Sequence, residues 1–118
     1  MKNQDTNLDK LILLWTSSDK EVALNMAFMY TLNAKKRGWW KEVCLIVWGP
    51  SAKLLSEDLE LQEHILKMKE SGVEIEACKT CADNYGVASC LEKLGINVKL
   101  MGIPLTDYLK IGYRIITL

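Results

Sequence analysis

An α/β fold built on a mostly parallel sheet is predicted by three features of the sequence. Hydrophobic periodicity switches repeatedly between short apolar runs and helix-like stretches, the pattern of successive βα units. Two of the runs, Leu11-Ile12-Leu13-Leu14-Trp15 and Val43-Cys44-Leu45-Ile46-Val47, are apolar without alternation, as strands are when helices cover both faces. The chain has 118 residues, which fits one domain on the soft prior of roughly 100 to 200 residues each. No repeat, low-complexity tract or linker divides it, so residues 1–118 read as a single domain with a flexible polar start over 1–9.

The five predicted strands are Lys10 to Trp15, Glu42 to Trp48, Val73 to Ala77, Val98 to Met101 and Tyr113 to Leu118. The first two belong at the centre of the sheet. The fourth and fifth carry Lys99 and Arg114 inside the run, so they belong at the edges. In the third, Glu74 and Glu76 alternate with Val73, Ile75 and Ala77, which leaves its place in the order open. The first helix runs from Ser18 or Asp19 to Lys36, with Ser18 as N-cap and Gly38 as its stop. Its sheet-facing stripe is Val22, Met26, Met29, Tyr30 and Asn33. A second stripe of Leu24, Phe28 and Leu32 widens the core face or meets another subunit; of these readings, a homo-oligomer with Leu24 and Phe28 at its interface is the expectation. Trp39-Trp40 follow in the turn and cap a core or an interface. A second helical region spans Ser51 to Ser71, broken near Ser56, with Leu54, Leu55, Leu59, Leu61, Ile65 and Met68 as apolar positions and Gly72 as its end.

Fifteen Lys plus Arg balance fifteen Asp plus Glu, and the pI is about 6.6. That neutrality argues against nucleic-acid partners held by broad phosphate neutralisation and against electrostatic membrane docking. No apolar run approaches the roughly 20 residues that span a bilayer, and Met1 to Lys10 does not read as a signal peptide. Four cysteines then point to a reducing compartment, with the cytoplasm as the default. His64 is the only histidine, which removes histidine triads and multi-histidine metal sites. It reads as structural or exposed.

In an open parallel sheet the loops leaving the carboxyl ends of the strands form the usual site. Here these are Thr16-Ser17-Ser18, Gly49-Pro50-Ser51, Cys78-Lys79-Thr80-Cys81 and Gly102-Ile103-Pro104. None has a glycine-rich phosphate-binding pattern, and no cofactor is expected. The hydroxyls of Thr16 and Ser17 suit phosphate or, more commonly, helix capping. In the third loop Thr80-Cys81-Ala82-Asp83 fits a capped helix start, with Thr80 as N-cap and Cys81 at the first helical position. The helix N-terminus and Lys79 would favour a thiolate, so one thiol of the pair is expected to be more acidic than a free cysteine. The CxxC pair has three readings: zinc, which lacks a full ligand set here; dithiol chemistry; and simple packing. Cys44 and Cys90 fall on apolar stripes and read as core, with Cys78 and Cys81 at least partly accessible.

The runs Trp48-Gly49-Pro50-Ser51-Ala52-Lys53-Leu54-Leu55 and Gly72-Val73-Glu74-Ile75-Glu76-Ala77-Cys78-Lys79-Thr80-Cys81-Ala82 resemble the DsrE/DsrF-like family of small sulfur-relay proteins. Leu91-Glu92-Lys93-Leu94-Gly95-Ile96, Met101-Gly102, Pro104-Leu105-Thr106-Asp107 and Tyr113-Arg114-Ile115-Ile116-Thr117 extend the likeness over nearly the whole chain. The resemblance implies a three-layer α/β/α sandwich with a five-stranded parallel sheet in the order 4-3-2-1-5, and homo-trimers or homo-hexamers. It also implies a persulfide-carrying cysteine in the loop after strand three, the position of Cys78. Cys81 departs from single-thiol members, since a second thiol can attack a persulfide on Cys78, release sulfide and leave a disulfide.

The function expected on this basis is sulfur handling, with Cys78 accepting sulfane sulfur from a donor and passing it on, and Cys81 modulating or resolving. Lys79, Thr80, Thr16, Ser17, Trp48, Gly49 and Pro50 would line the site. Partners would be sulfur donor and acceptor proteins or small sulfur compounds. The alternatives are dithiol/disulfide exchange at Cys78 and Cys81, and a non-enzymatic oligomer that binds a small molecule or partner in the same cleft.

Overall fold

The computed structural model describes residues 8–118; the first seven residues of the expected flexible start lie outside that range. Five parallel strands, β1 (Lys10–Trp15), β2 (Glu42–Val47), β3 (Glu74–Cys78), β4 (Asn97–Lys99) and β5 (Arg114–Thr117), form one sheet in the order β4-β3-β2-β1-β5. β4 and β5 are its edges, as their internal charges predict. Successive strands from β1 to β4 step across the sheet in one direction, so right-handed crossovers put every intervening helix on one face. The return from β4 to β5 beyond β1 reverses direction and puts the last helix on the other.

The helical layers are therefore unequal. On one face Leu11, Leu13, Trp15, Val43, Leu45, Val47, Ile75 and Ala77 pack against helices from residues 20 to 93. These include α3 (Pro50–Glu57) and α4 (Leu59–Glu70), which contribute Leu55, Leu61, Ile65 and Met68. The opposite face, with Ile12, Cys44, Ile46 and Cys78, meets Met101, Tyr108 and Tyr113 from α7 (Gly102–Ile111) and its flanks. This accounts for the alternation in β3. Ile75 and Ala77 enter the thick layer, while Glu74 and Glu76 lie on the side that one helix covers. Gly102-Ile103-Pro104, read from sequence as a loop, forms the first turn of α7, and β4 stops two residues short of Met101.

The first helix departs most from its sequence pattern. It runs through α1 (Lys20–Val22), a π turn (Ala23–Ala27) and α2 (Phe28–Lys36). A π turn fits an extra residue into the turn and rotates the face that follows. The predicted stripe is thus partly turned away from the sheet, leaving Met26 and Met29 40% and 51% exposed, while Tyr30 stays packed against the core. Ala23, Ala27, Phe28, Thr31 and Ala34 are buried instead, the alanines allowing close approach. Phe28 is internal to the chain, its ring edge-on to Trp15 at 4.8 Å between centroids, which removes it from the expected subunit interface. Leu24 is partly buried against the same core. Asp19, not Ser18, is the N-cap. Its carboxylate accepts from the Glu21 N–H at 2.8 Å, and the Ser17 hydroxyl accepts from the Asp19 N–H.

The second helical region breaks at Asp58, two residues after the expected point, because this side chain caps α4 by accepting from the Leu61 N–H at 3.0 Å. Lys20 reaches Asp58 and Glu60 at 2.9 Å each and fastens α1 to that start. The break leaves Leu59 77% exposed rather than in the core. Of the paired tryptophans, Trp40 packs on the core and donates its indole N–H to the Tyr30 hydroxyl, whereas Trp39 is exposed.

Candidate functional site

The carboxyl ends of β1, β2 and β3 converge, and Ser51 ties the first two loops together. Its hydroxyl donates to the Trp15 carbonyl at 2.6 Å and accepts from the Trp48 N–H at 3.2 Å, while its own N–H donates to the Thr16 carbonyl. Thr16 and Ser17 serve this framework. The Thr16 hydroxyl donates to the Leu118 carbonyl at 2.9 Å, and the Ser17 hydroxyl accepts from the N–H of Asp19, the residue that caps the first helix. Both hydroxyls are thus engaged in holding backbone together rather than aimed at a phosphate. Gly49, at φ +73° and ψ −141°, occupies a region closed to most L residues, and Pro50 behind it opens α3.

The third loop starts its helix earlier than predicted. α5 spans Lys79–Tyr85 with Cys78 as the N-cap residue, so Thr80 is not the cap and Cys81 is the third helical residue. Asp83 does not reach back to Thr80. It pairs with Lys79 at 2.7 Å on the exposed side of α5, so the lysine expected to favour a thiolate is held by a carboxylate.

Cys78 ends β3 on the thinly covered face. Extending the β2/β3 register one step from Val47↔Ala77 sets Trp48 opposite Cys78, and the β3/β4 register pairs Cys78 with Lys99. Cys78, Cys81, Trp48 and Met101 belong to one apolar cluster. Within the chain Cys78 is only 6% exposed, contrary to the accessibility expected of it, whereas Cys81 is partly exposed. Cys44 is buried as predicted; Cys90 is partly exposed, beside the Ser56 carbonyl, and not a core thiol. Burial pushes the Cys81 thiol up, as does its hydrogen bond with Cys78, and these outweigh the Gly49 backbone N–H that favours its thiolate. The expected acidic thiol is therefore not Cys81.

Beneath Cys78 lies a polar network that sequence reading missed. Glu76, two residues back on the same face and 7% exposed, pairs through Oε2 with Lys99 Nζ at 2.8 Å. Its Oε1 accepts from the Tyr108 hydroxyl at 2.8 Å and from Cys44 Sγ at 3.6 Å. At the far end of the face Lys10 pairs with Glu74 at 3.5 Å and lies over the rings of Tyr108 and Tyr113. Cys44, Glu74 and Glu76 bring three potential metal-ligating atoms within 4.8 Å of one another. Each of the two carboxylates already faces a lysine, so the group is accounted for as an ion-pair network. Alternating Glu74, Glu76 and Cys78 was the available signal, together with a lysine inside the fourth strand.

Burial opposes the charge on Glu76, but hydrogen bonds from Lys99 and Tyr108 and the Lys99 charge outweigh it and hold the carboxyl below the ordinary carboxylate range. The resulting stabilisation is complete above the ordinary glutamate value of about 4.3 and disappears as pH falls through the lowered folded value. Glu76→Gln is expected to cost on the order of 1 kcal/mol at neutral pH, the scale of a lost charge-assisted hydrogen bond. Thermal melts should show the gap between the two proteins closing as pH falls below about 4.

His64 is partly buried on α4, with its ring centroid 6.2 Å from that of Phe28 on the thick-layer side and away from the cysteines. With Leu24, Phe28, Met29, Leu32 and Asn33 it lines a cleft of about 260 Å³.

A single parallel sheet with two thiols at its carboxyl edge defines an α/β protein of the thiol-bearing kind. The DsrE/DsrF-like family model matches residues 9–118, and the chain belongs to that family. A conserved protein of unknown function from Bacteroides thetaiotaomicron, BT1422, is 50% identical, with 98% of this chain and 100% of that one covered at a TM-score of 0.94. The YchN protein from E. coli shares the fold at 13% identity and a TM-score of 0.75, with 92% of this chain and 98% of that one covered. The protein of unknown function MTH1491 from Methanobacterium thermoautotrophicum does so at 15% and 0.73, with the same coverage. No curated protein matches the chain. No helix among the described residues is long and apolar enough to cross a membrane.

Proposed function

We propose that this protein handles sulfane sulfur, with Cys78 as the acceptor and Cys81 as the modulating or resolving thiol. The observation that carries the reading is the placement of both cysteines in one cluster at the carboxyl end of β3, Cys78 ending the strand and Cys81 in the first turn of α5, in a chain of the DsrE/DsrF-like family. The Cys78 thiolate attacks the outer sulfur of a donor persulfide. A new S–S bond forms on Cys78, the donor's S–S bond breaks, and the donor leaves as its thiolate. Cys81, once deprotonated, can then attack the inner sulfur of that persulfide, expelling hydrosulfide and closing a Cys78–Cys81 disulfide. A dithiol reductant would reopen it. Trp48, Gly49 and Pro50 wall the site from the β2 side, and the partly exposed Cys81 marks the open approach. Donors and acceptors are proteins or small sulfur compounds in a reducing cytoplasm, where free thiols persist.

The same pair of sulfurs favours a second reading, dithiol/disulfide exchange without sulfur transfer. Parallel incubations with a small persulfide donor and with a small disulfide oxidant, followed by mass analysis of the Cys78 peptide, separate the two: a sulfur adduct on Cys78 from the persulfide supports transfer, whereas no adduct from the persulfide and a Cys78–Cys81 disulfide formed as the small disulfide is reduced to its thiol supports exchange. Assembly as a homo-trimer or homo-hexamer is also proposed. Leu100, Ile103, Leu109 and Ile111, on and beside α7, are each at least half exposed, an apolar surface of the kind that subunits cover. Light scattering on dilute protein should give a symmetric oligomer; a monomer at micromolar concentration would remove this part of the proposal.

A further inference from the structure

We propose that Lys99 is the counter-cation of Cys78, shared between Glu76 in the resting protein and the sulfur when Cys78 is a thiolate or an anionic persulfide. The inference rests on the sulfur-handling reading for its biological use, but its geometry stands alone. β3 and β4 pair in parallel with Cys78 opposite Lys99 and Glu76 opposite Asn97. Neighbouring strands lie about 4.8 Å apart, and paired residues point to the same side of the sheet, so the lysine side chain starts beside the sulfur and ends, in this structure, on Glu76 Oε2 at 2.8 Å. A flexible four-carbon stem reaches either group from that position.

A charged sulfur at a position 6% exposed needs a counter-charge, since desolvating an unpaired ion is costly. The groups around Cys78 leave one candidate among the described residues. On its own helix Lys79 is held outward by Asp83. Cys81 contributes a thiol that burial keeps protonated, and so does Cys44 on β2. Tyr108 from α7 is a neutral donor to Glu76, and burial and that carboxylate push its hydroxyl up. Glu76 is the sole anion, and Lys99 the sole cation, on the adjoining rows. Lys10 lies at the other end of the face with Glu74 and Glu42.

The network also permits the exchange. Both neutral donors, Tyr108 and Cys44, bond to Glu76 Oε1, whereas Lys99 takes Oε2. When Lys99 turns toward sulfur, Glu76 keeps two donors and is not left bare. The lysine side chain is 38% exposed, so its movement does not require the core to open. Lys99 is thus a positioning residue that acts through Cys78, and it takes the part that sequence reading gave to Lys79.

The test is the pH dependence of iodoacetamide alkylation at Cys78, read by peptide mapping in a Cys81→Ser/Cys90→Ser protein. Lys99→Met should move the midpoint up by about one pH unit, which is about tenfold less thiolate at neutral pH. Lys99→Arg should keep the parent profile, and Glu76→Gln, which removes the competing anion, should move the midpoint down. Superimposable Met and parent profiles would overturn the inference. If Lys99→Met does not fold, the Glu76→Gln profile decides alone, and an unshifted or raised midpoint overturns it. Alkylation needs no sulfur donor. A shifted Lys99→Met profile in a protein that never accepts sulfur would therefore defeat the function and spare the lysine, and an unshifted profile in one that does would do the reverse.

Discussion

Replacing Cys81 by serine is expected to convert a short-lived Cys78 persulfide into a stable one, while replacing Cys78 by serine abolishes loading at that site. The contrast follows from placement. Cys78 ends a strand between Trp48 and Lys99 in register, whereas Cys81 lies one helical turn away in the same cluster. In the unmodified protein the second thiol can discharge the first, so sulfide release should accompany disulfide formation one for one. Without Cys81 that route is lost and the adduct should outlast the wild-type adduct by at least an order of magnitude, on the scale by which thiol exchange depends on a held neighbouring thiol. The rate should also rise with pH, because burial and the Cys78 hydrogen bond push the Cys81 thiol up and the attacking species is its thiolate. Timed release of sulfide at a series of pH values checks this. Release that does not depend on Cys81 would remove its resolving role.

Gly49→Ala should destabilise the protein by about 1–3 kcal/mol, the cost of forcing a non-glycine residue into a disfavoured backbone region. Crowding is not the cause, since a Cβ at Gly49 meets nothing within 4 Å. The strain comes from φ +73° and ψ −141°. If the backbone relaxes to relieve it, the Gly49 N–H moves off Cys81 and the Cys81 thiolate loses a donor. Denaturant melts should therefore show the loss of stability, and Cys81 alkylation should shift to higher pH in the same variant. A neutral Gly49→Ala would mean that this turn is free to adopt another shape.

The fold was legible where one physical rule dominated. Continuous apolar runs marked β1 and β2, and Lys99 and Arg114 marked the edges. Glu74 and Glu76 were puzzling only because the sequence does not announce that one helix alone covers their face. That follows from the direction of the crossovers, which requires the strand order first. The first helix was misread because a π turn shifts the phase that periodicity assumes, and because its sheet contacts are alanines. At the proposed site, the CxxC pair and the Trp48-Gly49-Pro50 turn stand out from local sequence alone. Thr80 was misassigned as a cap by a pattern that Lys79 pre-empts by binding Asp83. The partners of Ser51, Glu76, Lys99 and Tyr108 could not be read, even though the alternation in β3 and the lysine in β4 stood out, because each acts across a sequence separation that only the sheet closes, 36 residues from Ser51 to Trp15 and 32 from Tyr108 to Glu76.

The most direct test of sulfur handling is intact-mass spectrometry of the wild-type, Cys78→Ser and Cys81→Ser proteins after incubation with a small persulfide donor, with peptide mapping of any adduct. The expected result is a gain of one sulfur atom on Cys78, durable in Cys81→Ser and absent at that site in Cys78→Ser, with the wild type passing to a Cys78–Cys81 disulfide as sulfide appears. No added sulfur on Cys78 in either the wild type or Cys81→Ser, or a normal adduct on Cys81 in Cys78→Ser and none in Cys81→Ser, would contradict the assignment of Cys78 as acceptor.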